Sequence, residues 1–213
     1  MRYDPARGLV NTFHMLLTDK DDLQCLLMLE RYKRLCRINS VILSVSEAKN
    51  IVLLEYILAR GADPNTIDSA GYTPLTMAAN VFWHQKNPQM YEASPECIKI
   101  LLRYGAKTGI ERDKSLAFEW TALHFAAYSG NLEGARVLYE YGVDLKSKGD
   151  EGETPLHVAC DEGSTDVAEF IAQINPAMLD ETDMAGHTPM DLAREKNYTE
   201  LVERLISIKK RTS

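Results

Sequence analysis

His157, Cys160 and Asp161 are the residues whose types and spacing come nearest to chemistry in this chain. Three positions apart on a helix, an imidazole and a thiol share one face, and such a pair can bind a metal or run thiolate attack with histidine as base. A nucleophilic thiol also needs solvent access and a lowered pKa. Cys160 instead stands where the local pattern puts a small residue facing a helix stack, which predicts a structural role. His124 lies in the same setting earlier in the chain, again three places after a threonine. That repetition points to scaffolding rather than to one reactive centre. Cys25, Cys36, Cys97 and Cys160 lie far apart, which argues against a disulfide framework or a zinc module. His14, His84 and His187 have no partner identifiable from spacing. No glycine-rich phosphate loop, Gly-x-Ser-x-Gly elbow or zinc-spaced cluster occurs, so catalytic residues, cofactor and metal are all expected to be none.

The elements that position these residues are announced by a recurring Thr-Pro-Leu. It stands at Thr73-Pro74-Leu75 and Thr154-Pro155-Leu156, with variants Thr188-Pro189-Met190 and Thr121-Ala122-Leu123. The steps from Thr121 to Thr154 and from Thr154 to Thr188 are nearly equal, and such a period is expected of stacked helical units. Threonine can cap a helix with its hydroxyl, and proline suits the first helical position because its missing N–H is not needed there. Leu123, Ala126 and Ala127 then fall at helical spacing, with small residues allowing close approach of a neighbouring helix. Gly130 can end that helix in a left-handed conformation. Leu132, Ala135, Val137 and Leu138 form the apolar face of a second helix, which ends at Gly142. Each unit therefore reads as helix, turn, helix, hairpin.

In these residues the chain resembles the ankyrin repeat family. The matches are Asp68, Gly71, Thr73-Pro74-Leu75 and Ala78-Ala79; Thr121-Ala122-Leu123-His124, Ala126-Ala127 and Gly130; Thr154-Pro155-Leu156-His157, Ala159 and Gly163; and Asp183, Gly186, Thr188-Pro189 and Ala193. Gly61-Ala62-Asp63-Pro64-Asn65, Gly105-Ala106 and Gly142-Val143-Asp144 match the family's hairpin entry. Stepping back from Gly61 by the interval that separates Thr121 from Gly142 lands on Ser40 and uncovers a degenerate first repeat, with Val45 and Ser46 in the small-residue places. The resemblance implies an all-α, right-angled helical solenoid of five repeats with short β-hairpin loops, at about 36–68, 69–115, 116–148, 149–182 and 183–213. Two apolar stretches, Leu9–Leu17 and Leu23–Leu35, are read as an N-terminal helical cap over 1–35, the second with a basic side from Arg31, Lys33, Arg34 and Arg37. In the family, His124 and His157 are expected to bond hairpin backbone. Asn65 resembles sites of asparagine hydroxylation in some ankyrin proteins, and otherwise serves as a turn residue.

The period fails once. The step from Thr73 to Thr121 is nearly half a period longer than those that follow, and most of the excess lies between the two helices of the second repeat. The resulting insertion, 80–94, carries Phe82, Trp83, Met90 and Tyr91, residue types favoured at binding hot spots and equally able to pack back on the array. Repeat positions that form the family's concave binding surface fall on Tyr72, Asn80 and Val81, then on Phe118, Trp120, Tyr128 and Ser129, and then on Glu151, Glu153, Asp161 and Glu162. With Phe82, Trp83 and Tyr91, these are the expected partner-binding residues. Trp120 could alternatively belong to the core.

The net charge of −7 is unevenly spread: residues 150–203 carry 14 acidic and 2 basic side chains, and 204–213 carry 4 basic and no acidic ones. So acidic a region repels a phosphate backbone and attracts basic protein surface. The expected partner is another protein with a basic or mixed apolar-basic surface, with no direct nucleic-acid binding. No apolar run spans a bilayer and no signal peptide is evident, so membrane insertion is not expected and a cytoplasmic or nuclear protein is. A monomeric, non-catalytic interaction module or adaptor is the reading that results. The alternatives are a regulatory inhibitor of a partner enzyme and a microbial effector acting in a host cell.

Overall fold

The computed structural model describes residues 5–81, 95–109 and 119–212. Among them the regular structure is all helical and comes in consecutive pairs. These are α1 (Pro5–Thr18) and α2 (Asp22–Arg31), α3 (Asn39–Glu47) and α4 (Ile51–Ala59), and α5 (Pro74–Ala79) and α6 (Pro95–Arg103). Then follow α7 (Ala122–Tyr128) and α8 (Leu132–Glu140), α9 (Pro155–Asp161) and α10 (Thr165–Ile174), and α11 (Pro189–Glu195) and α12 (Thr199–Thr212). The chain divides into two compact units, Met1–Ala78 with Glu96–Lys107, and Ala79–Pro95 with Thr108–Ser213.

In the first unit α1 packs on α2 and α3, and α4 packs on α2 and α3. Phe13, Leu29, Ile42, Leu53, Leu54 and Ile57 fill its core. His14, without a partner in the sequence reading, places Nε2 3.1 Å from the Ser44 hydroxyl and links α1 to α3. The apolar stretch Leu23–Leu35 is not one helix. It breaks at Tyr32, whose φ of −121° and ψ of 66° leave helical space, and resumes as a 3-10 turn over Lys33–Arg37. Ser40 lies inside α3 rather than capping it, because α3 already starts at Asn39 and carries no side-chain cap. Val45 and Ser46 are nonetheless fully buried, as small-residue positions should be.

In the second unit α7, α9 and α11 lie side by side, with α8, α10 and α12 as the second helices of their pairs. Ala126, Ala127, Ala159, Cys160 and Ala193 have no exposed surface, so the inner row packs through its small residues. Hairpins join the pairs, each closed by few backbone bonds: Gly149 N–H donates to the Glu153 carbonyl at 2.8 Å, and Asp183 N–H to the His187 carbonyl at 3.1 Å. One such bond cannot extend a ladder, and no strand forms among the described residues.

The repeat register is visible in the backbone. At the same offset after Ser40, Thr121, Thr154 and Thr188 come Lys49, Gly130, Gly163 and Asn197, all left-handed, with φ of 53°, 67°, 71° and 63°. Only glycine adopts this conformation without a Cβ penalty.

The inner helices α7, α9 and α11 start on a reciprocal cap. Thr121 N–H donates to His124 Nδ1 at 3.1 Å, while His124 N–H faces the Thr121 hydroxyl at 3.4 Å. His124 Nε2 then reaches the Glu153 carbonyl at 3.2 Å, and His157 Nε2 likewise reaches the His187 carbonyl at 3.1 Å. Because Nδ1 accepts, the proton sits on Nε2 and the ring is neutral. Burial lowers the His124 pKa to about 4 and lowers that of His157 as well. Thr76 and Asp191 take the same capping place after Thr73 and Thr188.

Two outcomes are expected. A depressed histidine pKa means that the stabilising effect is complete above the unfolded value near 6.5 and is lost as pH falls toward about 4. His124 should contribute about 3 kcal/mol to that loss, so urea midpoints measured from pH 7 to 4 should fall less steeply in His124→Gln. Replacing Lys49 by glycine should raise stability by about 1 kcal/mol, measured by denaturant unfolding. Its ammonium, with a pKa that burial lowers to about 8, is removed by the same change.

Candidate functional site

Trp120 organises the most distinctive surface of the second unit. It immediately precedes the Thr121 cap, so its ring lies against α7. It stacks on His124 with centroids 6.1 Å apart and 18° between planes, meets Phe125 edge-on at 5.4 Å, and leans on Tyr128 at 5.7 Å. Phe125 is 6% exposed and forms the floor, whereas Tyr128 is 45% exposed and forms the outer edge. Trp120 Nε1–H donates to the Glu153 carboxylate. The other Glu153 oxygen accepts from Glu151 N–H at 2.8 Å, so this carboxylate joins one repeat's tryptophan to the next repeat's hairpin.

Gly149 makes this possible. A Cβ there would lie 2.3 Å from Glu153 Oε1 and 2.9 Å from Trp120 Cδ1. Sequence reasoning singled out neither Gly149 nor Phe125. Phe125 could have been found by the same helical register that placed Tyr128, three residues later on the same face.

The acidic residues fall into two groups. Asp161 forms an ion pair with Lys196 at 3.2 Å, and Glu153 is engaged by Trp120. Glu151 and Glu162 are exposed. Burial, and then the neighbouring Asp161, raise the Glu162 pKa. Much of the acidic excess is answered locally: Glu181 lies 3.4 Å from Lys146, Glu169 3.3 Å from Arg204, and Asp180 pairs with Lys209. His187, another histidine without a sequence partner, lies 3.5 Å from Asp183 and 3.7 Å from Glu195.

Of the other expected contact residues, Val81 is half-buried, Asn80 is buried, and the Ser129 hydroxyl donates to the Phe125 carbonyl at 2.9 Å. Tyr72, in the first unit, donates its N–H to Asp68. Phe82, Trp83, Tyr91 and Phe118 lie outside the described residues. Asn65 is a bridge within the first unit. Its amide donates to the Gly105 carbonyl at 3.0 Å and accepts from Lys107 N–H at 2.8 Å.

The His157, Cys160 and Asp161 group is not assembled for thiolate chemistry. Cys160 is fully buried, and burial pushes its pKa up to about 12. His157 Nδ1 faces the Thr154 hydroxyl at 2.9 Å, and its other nitrogen is held by the His187 carbonyl. Among the described residues no group of histidine, cysteine and carboxylate side chains could hold a metal ion. None of their helices is long and apolar enough to cross a membrane.

A row of capped inner helices, with left-handed turns in register, agrees with what protein families record. The chain belongs to the ankyrin-repeat family, whose three-copy repeat model matches residues 41–149, 89–180 and 143–212. The family implies protein–protein interaction. Human protein phosphatase 1 regulatory subunit 27 is 43% identical over 82 residues, 38% of this chain and 52% of that protein. Fowlpox virus (strain NVSL) ankyrin repeat protein FPV024 is 35% identical over 118 residues, covering 55% of this chain and 18% of its own length. Human transient receptor potential cation channel subfamily A member 1 is 27% identical over 179 residues, covering 72% of this chain and 16% of the channel. The chain therefore matches about half of the phosphatase subunit, and far less of the other two.

The Trp120 clamp can be tested without a partner. In Glu153→Ala the Trp120 Nε1–H resonance should move and lose exchange protection, with a stability loss of about 1–2 kcal/mol. Gly149→Ala should move the same resonance. An indole signal unchanged in both variants would mean that the carboxylate does not hold the ring.

Proposed function

We propose that this chain is a non-catalytic protein-binding module that engages a partner through the Trp120, Phe125 and Tyr128 surface of its second unit. The observation carrying this reading is an aromatic group already locked by Glu153 yet open at Tyr128. Such an anchor loses little freedom on binding. Glu151 and Glu162, both exposed and in no ion pair among the described residues, supply negative charge on the following repeat, which suits a partner with apolar anchors beside lysine or arginine. Glu153 holds Trp120 and Asp161 is paired with Lys196, so their charges are already engaged within the repeats. The reading takes 36–213 as five repeats capped by 1–35, with the 80–94 insertion as a second contact region. It places the chain, as a monomer, in the cytoplasm or nucleus with no direct nucleic-acid contact.

The likeness to the phosphatase regulatory subunit favours a second reading, in which the partner is an enzyme and binding regulates it. Adding the chain to a protein phosphatase 1 catalytic subunit assay separates the two. A saturable change in turnover supports regulation, and no change leaves the adaptor reading.

For the adaptor, a partner recovered by affinity capture should bind Tyr128→Ala at least about tenfold more weakly. Glu151→Ser with Glu162→Ser should weaken binding and flatten its salt dependence, since exposed charges are screened at about 10 Å in 0.1 M salt. Binding that is indifferent to all three substitutions would remove this surface from the interface.

A further inference from the structure

A separate feature belongs to the first unit. Lys33, Arg34, Arg37 and Arg60 line one groove of about 350 Å³. The 3-10 turn explains the convergence. With three residues per turn, positions three apart eclipse, so Arg34 and Arg37 project on one side. Leu35 and Cys36 between them are 2% and 0% exposed, which anchors the turn from beneath.

The fourth cation comes from the end of α4 and is held in place. The Arg60 guanidinium lies 3.4 Å from the Tyr56 ring centroid and 2.7 Å from the Glu30 carboxylate, which also accepts from the Tyr56 hydroxyl. A Cβ at Gly61, next in the chain, would lie 3.8 Å from the Arg37 guanidinium, which places Arg37 beside the end of α4. Glu30 is thus committed to Arg60 and Tyr56. Among the described residues no carboxylate forms an ion pair with Lys33, Arg34 or Arg37, although, after the Tyr56 hydrogen bond and Arg60, the Lys33 charge also helps to hold the Glu30 carboxyl below its usual range.

We propose that this groove binds a phosphorylated serine or threonine side chain carried on a partner protein. Converging like charges favour a compact, multiply charged anion, and arginine forks match phosphate oxygens two at a time. A continuous nucleic-acid backbone suits the chain less well. The cationic lining is short, and residues 150–203, with 14 acidic and 2 basic side chains, repel a long polyanion. A bilayer surface is flat, whereas these cations line a concavity. The groove shares no residue with the Trp120 surface, so its role stands or falls independently of that site.

The test is fluorescence anisotropy of the full chain with a labelled Gly-Ser peptide bearing two adjacent phosphoserines, alongside its unphosphorylated twin. The phosphorylated peptide should bind at least about tenfold more tightly. Arg34→Gln with Arg37→Gln should abolish that preference, while Arg34→Lys with Arg37→Lys retains part of it. Circular dichroism and melting should be unchanged, because both side chains are exposed. If the double variant does not fold, Lys33→Gln alone should still reduce the preference. Equal binding of the two peptides, or a preference that survives the glutamine variants, overturns the proposal. Displacement by equimolar inorganic phosphate, or tighter binding of phosphatidylserine vesicles or a single-stranded oligonucleotide, also overturns the assignment to a phosphorylated peptide.

Discussion

The histidine at the third helical position of the middle repeats is the interaction on which the second unit depends. One ring performs two tasks: Nδ1 accepts from the capping threonine, and Nε2 donates to the next hairpin. The first task starts a helix, and the second fixes the distance to the following repeat. Only a residue with an acceptor and a donor on opposite sides of a rigid ring can do both, and only while it is neutral. Burial ensures that neutrality. In two other repeats Thr76 and Asp191 fill the same capping place.

The aromatic surface inherits its order from this scaffold. The carbonyl that receives the His124 proton belongs to Glu153, and the Glu153 side chain holds Trp120. The same hairpin residue therefore sets the spacing of repeats through its backbone and the posture of the indole through its carboxylate. Movement of that hairpin would disturb fold and surface together. Gly149 is the steric condition for both, because any side chain there would occupy the space of the carboxylate and the ring.

Charge illustrates the difference between composition and surface. Counted along the chain, residues 150–203 carry 14 acidic and 2 basic side chains. In space, Lys146 lies near Glu181, Lys196 near Asp161, and Lys209 and Arg204 on the tail reach back to Asp180 and Glu169. Cations from before and after the acidic stretch thus offset part of it. The exposed pairs contribute little stability individually, but they determine which carboxylates remain open to a partner. In the first unit the reverse occurs: Lys33, Arg34 and Arg37 gather in one groove while the nearest carboxylate is occupied.

The sequence by itself determined the family, the period and the helix pairs, because those rest on local requirements: a capping threonine, a small residue at a close approach, a left-handed turn. Even the helix pair after Ser40 was legible, and there Lys49 occupies the turn where Gly130 and Gly163 recur. The packing role of Cys160 was legible from its small-residue position, and its full burial agrees with it. Tertiary structure alone decided which charges are neutralised, what holds Trp120, and why Asn65, His14 and His187 stand where they do. Those outcomes depend on side chains distant in the sequence meeting across neighbouring helix pairs. A periodic pattern specifies which positions face a neighbour, but the distances and angles between particular side chains arise only once the helices are stacked.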